Sequence, residues 1–111
     1  MHPAKVDRDR LRRLTDLPNV GPAMARDYAR LGFETPAQLA GVDALELYAL
    51  LCARTGAFQD PCVLDTLLSV SHFLAGGEAL PWWSFTARRN REHGDAVAAL
   101  REAWVPQSRS N

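Results

Sequence analysis

The residues best placed to do chemistry are Leu17-Pro18-Asn19-Val20-Gly21-Pro22-Ala23. Asn19 and Gly21 are the residue types that tolerate positive φ, so the stretch reads as a tight turn between two short helical patterns. The start of the second helix leaves backbone N–H groups without intrahelical partners, and the helix dipole places positive potential there. Such a terminus holds an anion through the main chain alone. Apolar Leu17 and Val20 can plug into the helix pair while the turn stays at the surface. The chemistry offered is phosphate capture without a large basic surface.

Other reactive types are more scattered. Asp60 and Asp65 are candidates for an acid–base pair, but they lie five residues apart, about 140° round a helix, and do not converge. Asp60 is instead an N-cap before Pro61. Cys52, Cys62, His72 and His93 show neither CxxC nor HxxxH spacing, so no metal ligand set is expected. Cys62 sits near a helix start but between Asp60 and Asp65, which oppose a reactive thiolate. No serine, histidine and acid arrangement is legible. The chain is expected to be non-catalytic, with no metal and no cofactor.

The elements that must position the turn are helical throughout, because no strand-like alternation of any length occurs. Residues 8–16 read as a first helix, with Leu11 and Leu14 on one face and arginines on the other. Met24, Tyr28 and Leu31 follow at i, i+4 and i+7, with Gly32 as a left-handed stop. Thr35-Pro36-Ala37-Gln38 carries a capping-box signature for a short helix ending near Gly41. Asp43-Ala44-Leu45-Glu46 repeats that logic for a helix to about Arg54 that buries Leu47, Leu50 and Leu51, with Gly56 ending it.

Asp60 and Pro61 open the next helix, lined by Leu64, Leu67, Val70 and Leu74 up to Gly76-Gly77. Its apolar stripe is wide, which marks it as the central, most buried helix. Pro81-Trp82-Trp83-Ser84-Phe85 reads as an aromatic linker over the core, whose rings either pack or stack on exposed bases. Thr86 can cap an Arg-rich helical turn that Gly94-Asp95 breaks or restarts. Val97, Leu100 and Trp104 then lie on a last amphipathic helix, and the chain is expected to fray over 105–111. The domain reading is one unit over 1–104: a hairpin at 8–31, central helices at 36–75, and the aromatic linker with the C-terminal helix at 80–104.

The chain has 111 residues, 47% of them apolar, enough for one core that buries roughly two-thirds of the unfolded surface. Thirteen basic and thirteen acidic residues cancel, which excludes a polybasic, strongly non-specific nucleic-acid binder. The charge is nonetheless uneven. Residues 1–30 carry seven Lys/Arg against four acids, 34–80 one against six, and 88–111 five against three. Two cysteines are few for a secreted domain of this size. No apolar leader and no run of ~18 apolar residues is present, so the expected location is cytoplasmic, away from membranes.

Leu14-x-x-Leu17-Pro18-Asn19-Val20-Gly21-Pro22-x-x-Ala25 resembles a helix-hairpin-helix motif of the kind found in DNA repair proteins. Together with Asp60-Pro61-Cys62-Val63-Leu64-Asp65 and Pro81-Trp82-Trp83-x-Phe85-Thr86, it looks like the small pathogenicity-locus family of single-hairpin proteins. Some members of that family are labelled mitomycin-resistance proteins. The resemblance implies an all-α fold: a small helical bundle built on a helix-hairpin-helix (SAM-like) unit, with C-terminal helices packed on it. It also implies a role with DNA.

By that resemblance, backbone phosphate would be held by the main-chain amides of Asn19, Gly21 and Met24, with Arg26 the nearest basic side chain. Asn19 stands where such hairpins usually have glycine, and Ala23 where many have lysine. Arg12, Arg13, Arg88 and Arg89 would widen the electrostatic footprint. The expected partner is therefore DNA, bound weakly and without sequence specificity, since backbone contacts carry no base information. The alternative is a protein-interaction module, as a homodimer through Val97, Leu100 and Trp104 or with another protein.

Overall fold

The computed structural model describes the backbone of residues 1–109 and the side chains of residues 1–104. Within them the chain is all-helical, with four α-helices, several short 3-10 turns and no strand. The α-helices are α1 (Pro22–Arg30), α2 (Ala44–Thr55), α3 (Pro61–Leu74) and α4 (Thr86–Arg109).

Helix α3 is central because it is buried on nearly every side. Seven consecutive residues from Leu64 to Val70 are buried. It packs against α2, α4 and the aromatic 3-10 turn Trp82–Phe85. Leu17, Val20, Tyr48, Leu51 and Leu64 fill the core with little or no exposure. The helix starts follow local capping chemistry. Asp43 Oδ2 accepts the Glu46 amide at 2.9 Å, and Asp60 Oδ1 accepts the Cys62 amide at 2.8 Å. Thr35 and Gln38 form the reciprocal box ahead of the 3-10 turn Pro36–Leu39.

Four local expectations are corrected. Residues 8–16 do not form a helix; they make two separate 3-10 turns, Arg8–Arg10 and Leu14–Asp16. The carboxylates of this stretch take backbone amides that a helix would need. Asp7 accepts from Asp9, and Asp16 accepts from both Arg12 and Arg13 at 2.9 and 2.8 Å. In so short a segment such local bonds outweigh a costly helix nucleus.

Leu50 is 39% exposed, and the α2 face buried in its place runs through Tyr48 and Cys52. Gly94 neither breaks nor restarts α4, which continues through it. A mid-helix glycine costs only about 1 kcal/mol relative to alanine, and packing of Val97 against the core outweighs that. Thr86 does not cap; its hydroxyl donates to the buried carboxylate of Asp65 at 2.7 Å. The segment 105–111, expected to fray, has helical backbone as far as Arg109, and residues 110–111 lie outside the described residues.

Candidate nucleic-acid interface

The turn at residues 17–24 is anchored from below and open at one end. Leu17 and Val20 have no exposure, and Pro18 is fully buried beside them. Asn19 takes the left-handed conformation, φ 64°, which an asparagine accommodates better than most side chains. Its side-chain amide donates to Ser69 Oγ at 2.9 Å and to the Leu80 carbonyl at 2.8 Å. One residue thereby ties the turn to the central helix and to the segment before the tryptophans. The side chain that replaces the usual glycine is turned into the fold.

The three amides assigned to phosphate do not share one environment. The Asn19 N–H donates to the Met1 carbonyl at 2.8 Å, so this donor is already used. The Met1 nitrogen in turn reaches the Val20 carbonyl at 2.7 Å, laying the N-terminal segment along one side of the turn. The Gly21, Ala23 and Met24 amides meet no acceptor among the described residues. They lie at the N-terminus of α1, where Pro22 supplies no donor and Gly21 caps without a side-chain bond. Two of the three positions thus keep a donor available, with Ala23 between them.

Gly21 has φ −96° and ψ −174°, an extended conformation open to any residue. A β-carbon there would meet nothing within 4 Å. The backbone therefore does not demand glycine, and what its missing side chain leaves clear is the approach to its own amide.

Beside the turn lies an open cleft of about 370 Å³, bounded by residues 1–3, Asn19, Gly21 and residues 81–83. Trp83 is 62% exposed, and its ring stands edge-to-face with that of Trp82, at 85° and 5.7 Å between centroids. Phe85, the third aromatic of the linker, is buried and contacts His72 instead. Among the described residues no carboxylate lines this cleft.

The basic side chains divide sharply. Arg26 is exposed on α1 and has no ion-pair partner among the described residues, while neighbouring Asp27 pairs with Arg30 at 3.3 Å. Arg12 and Arg13 are exposed and border an open cleft of about 500 Å³ with Arg10, Thr15 and Asp16. Backbone hydrogen bonds from Arg13 and Arg12 hold the Asp16 carboxyl below its ordinary range, so it stays an anion beside them.

The second group is committed elsewhere. Arg89 Nε donates to Asp65 at 2.6 Å, with Asp65 fully buried and the Arg89 side chain 13% exposed. Arg88 pairs with Glu92 at 2.7 Å. Each guanidinium thus has a carboxylate beside it, sealed from water for Arg89 and solvent-exposed for Arg88. Arg8 is likewise a structural group. It donates to the Phe73 and Gly77 carbonyls at 2.7 and 2.6 Å and lies 3.9 Å from the Phe73 ring centroid, closing the C-terminus of α3.

The remaining reactive types are not gathered. Cys52 is buried and Cys62 exposed, and no group of three His, Cys, Asp or Glu converges among the described residues. Desolvation by its neighbours, then the hydrogen bond and charge of Asp60, push the Cys62 thiol up, which opposes a reactive thiolate. Val97 is 5% exposed in the core, and Leu100 and Trp104 are partly buried against it. Among the described residues no helix is long and apolar enough to cross a membrane.

Sequence reasoning missed the Asp65–Arg89–Thr86 cluster and the seating of residues 1–3 against the turn. Neither carries a periodic signal. Their partners lie 18 to 24 positions away, and only the fold brings them together.

Comparison with known proteins gives a consistent relationship. A family model described as "Pathogenicity locus" matches residues 7–91. A curated relative, "Mitomycin resistance protein McrB" of Streptomyces lavendulae, is 44% identical over 78 residues, covering 70% of this chain and 74% of that protein. No solved structure matches.

Proposed function

The chain belongs to the pathogenicity-locus family, and we propose that it is a non-catalytic, cytoplasmic DNA-binding protein of the helix-hairpin-helix type. It contacts the phosphate backbone without sequence specificity and serves as an accessory in DNA maintenance or drug resistance. One observation carries this reading: among the described residues the Gly21 and Met24 amides have no acceptor at the N-terminus of α1, and Arg26, one turn along, has no ion-pair partner. Phosphate oxygens are the ligand such donors suit best. The name of the Streptomyces relative supports the resistance half of the proposal.

A single hairpin with few unpaired arginines implies weak binding, Kd on the order of 10⁻⁴–10⁻⁶ M at physiological salt. Fluorescence anisotropy with labelled duplex and single-stranded DNA tests it. Association should be independent of sequence and weaken steeply with salt. Absence of association with any DNA at low salt overturns the reading. The alternative, a protein-interaction module, draws on the 62% exposure of Trp83; capture of a protein partner that survives nuclease treatment would favour it.

A further inference from the structure

We propose that the cleft beside the hairpin turn receives one unpaired nucleobase, stacked on the exposed face of Trp83. This rests on the DNA-binding reading and specifies the form of DNA preferred. The cleft, of about 370 Å³, falls within the size range of small-ligand sites and is large enough for a base and its sugar. Its two indoles stand nearly perpendicular, at 85°, and Trp83, 62% exposed, is the more accessible ring beside a half-buried Trp82. A planar aromatic ring can stack on the accessible indole.

Charge selects among planar ligands. The cleft is bounded by Met1 with its terminal ammonium, His2, Pro3, Asn19, Gly21, Pro81 and the tryptophans, without a carboxylate among the described residues. Gly21 belongs to this lining, so a phosphate on its amide and a ring on Trp83 come from the same nucleotide or adjacent ones. A base within a duplex has both faces already stacked, so only an unpaired base can enter. The favoured substrate is therefore DNA with a single-stranded tail, gap or frayed end.

The test compares three labelled DNAs by anisotropy: a blunt duplex, the same duplex with a short single-stranded tail, and that tail built from abasic residues. The tail should raise affinity about tenfold, the abasic tail should not, and the tailed DNA should quench tryptophan fluorescence. Trp83→Ala should abolish the gain without weakening blunt-duplex binding, and Trp83→Phe should retain part of it. Thermal melts of both variants should match the parent, since the ring is mostly exposed. Equal affinity for all three DNAs overturns the inference but leaves the phosphate reading standing. So does an equal loss on all three with Trp83→Ala. Failure to bind any DNA overturns both.

Discussion

Two polar regions flank the same central helix and treat their polar groups in opposite ways. Around Asp65 the carboxylate oxygens take one bond each from Arg89 and Thr86, and the carboxylate has no exposure. At the start of α1 the residues Gly21, Ala23 and Met24 are partly or fully exposed, and their amides meet no acceptor among the described residues. A charge sealed from water must be paired, because desolvation without a partner is costly. A donor left at the surface costs little in water and remains available to an anion. The first arrangement holds the fold together; the second can bind. Arg89 and Arg26 are both arginines on helices, yet only Arg26 can answer to a ligand.

The sharpest way to break this contrast is Arg89→Ala. It strands a buried carboxylate with one hydroxyl donor, and destabilisation of about 3 kcal/mol is expected. A thermal melt should show a Tm lower by about 15 °C. A melt unchanged within a few degrees would mean that Asp65 is not held by charge pairing.

Gly21→Ala comes next and separates the two regions from the other side. The added carbon meets no protein atom, so stability should be almost unaltered. DNA affinity should fall about tenfold, the equivalent of losing one charge-assisted hydrogen bond. Equal affinity for the variant and the parent would move the phosphate away from this amide.

Arg26→Ala should weaken binding several-fold on all sequences and lower the salt slope by about one. An unaltered slope in anisotropy titrations at varied salt would remove Arg26 from the interface.

The smallest effect concerns Asp16, at the entry to the turn. Its carboxyl lies below the ordinary 3.8 because the Arg13 and Arg12 amides bond the charged form. A carboxylate more acidic in the fold than in the unfolded chain stabilises the fold above about 3.8. That contribution disappears as pH falls through its depressed value. Amide exchange of Arg12 and Arg13 should therefore show protection lost in acid below that point, relative to a core amide such as Leu67. In Asp16→Asn the acid dependence should be missing.

What could be read from the sequence was local. Asp43 with Glu46, Asp60 with Pro61, and Thr35 with Gln38 announce helix and turn starts because cap and capped amide are two or three residues apart. Gly32 and Gly56 end their segments with positive φ for equally local reasons. The wide apolar face of α3 was legible from composition alone.

Long-range partnerships left no such trace. Arg8 reads as one more solvated arginine until Phe73 and Gly77, 65 and 69 residues on, present their carbonyls to it. Arg88 and Arg89 look like basic support until Glu92 and Asp65 take their charges. Of the candidate site, the turn itself was visible in Asn19 and Gly21. The loss of the Asn19 amide to Met1, and the cleft that sets Trp83 beside Gly21, were not, because each joins segments 18 or more positions apart.

The most direct measurement is a titration of ¹⁵N-labelled protein with a short duplex, followed amide by amide in ¹H–¹⁵N spectra. The Gly21 and Met24 resonances should shift progressively with DNA, while Asn19, bonded to Met1, moves far less. Stationary Gly21 and Met24 amides, with the main shifts on α4 or α2, would contradict phosphate capture at this turn.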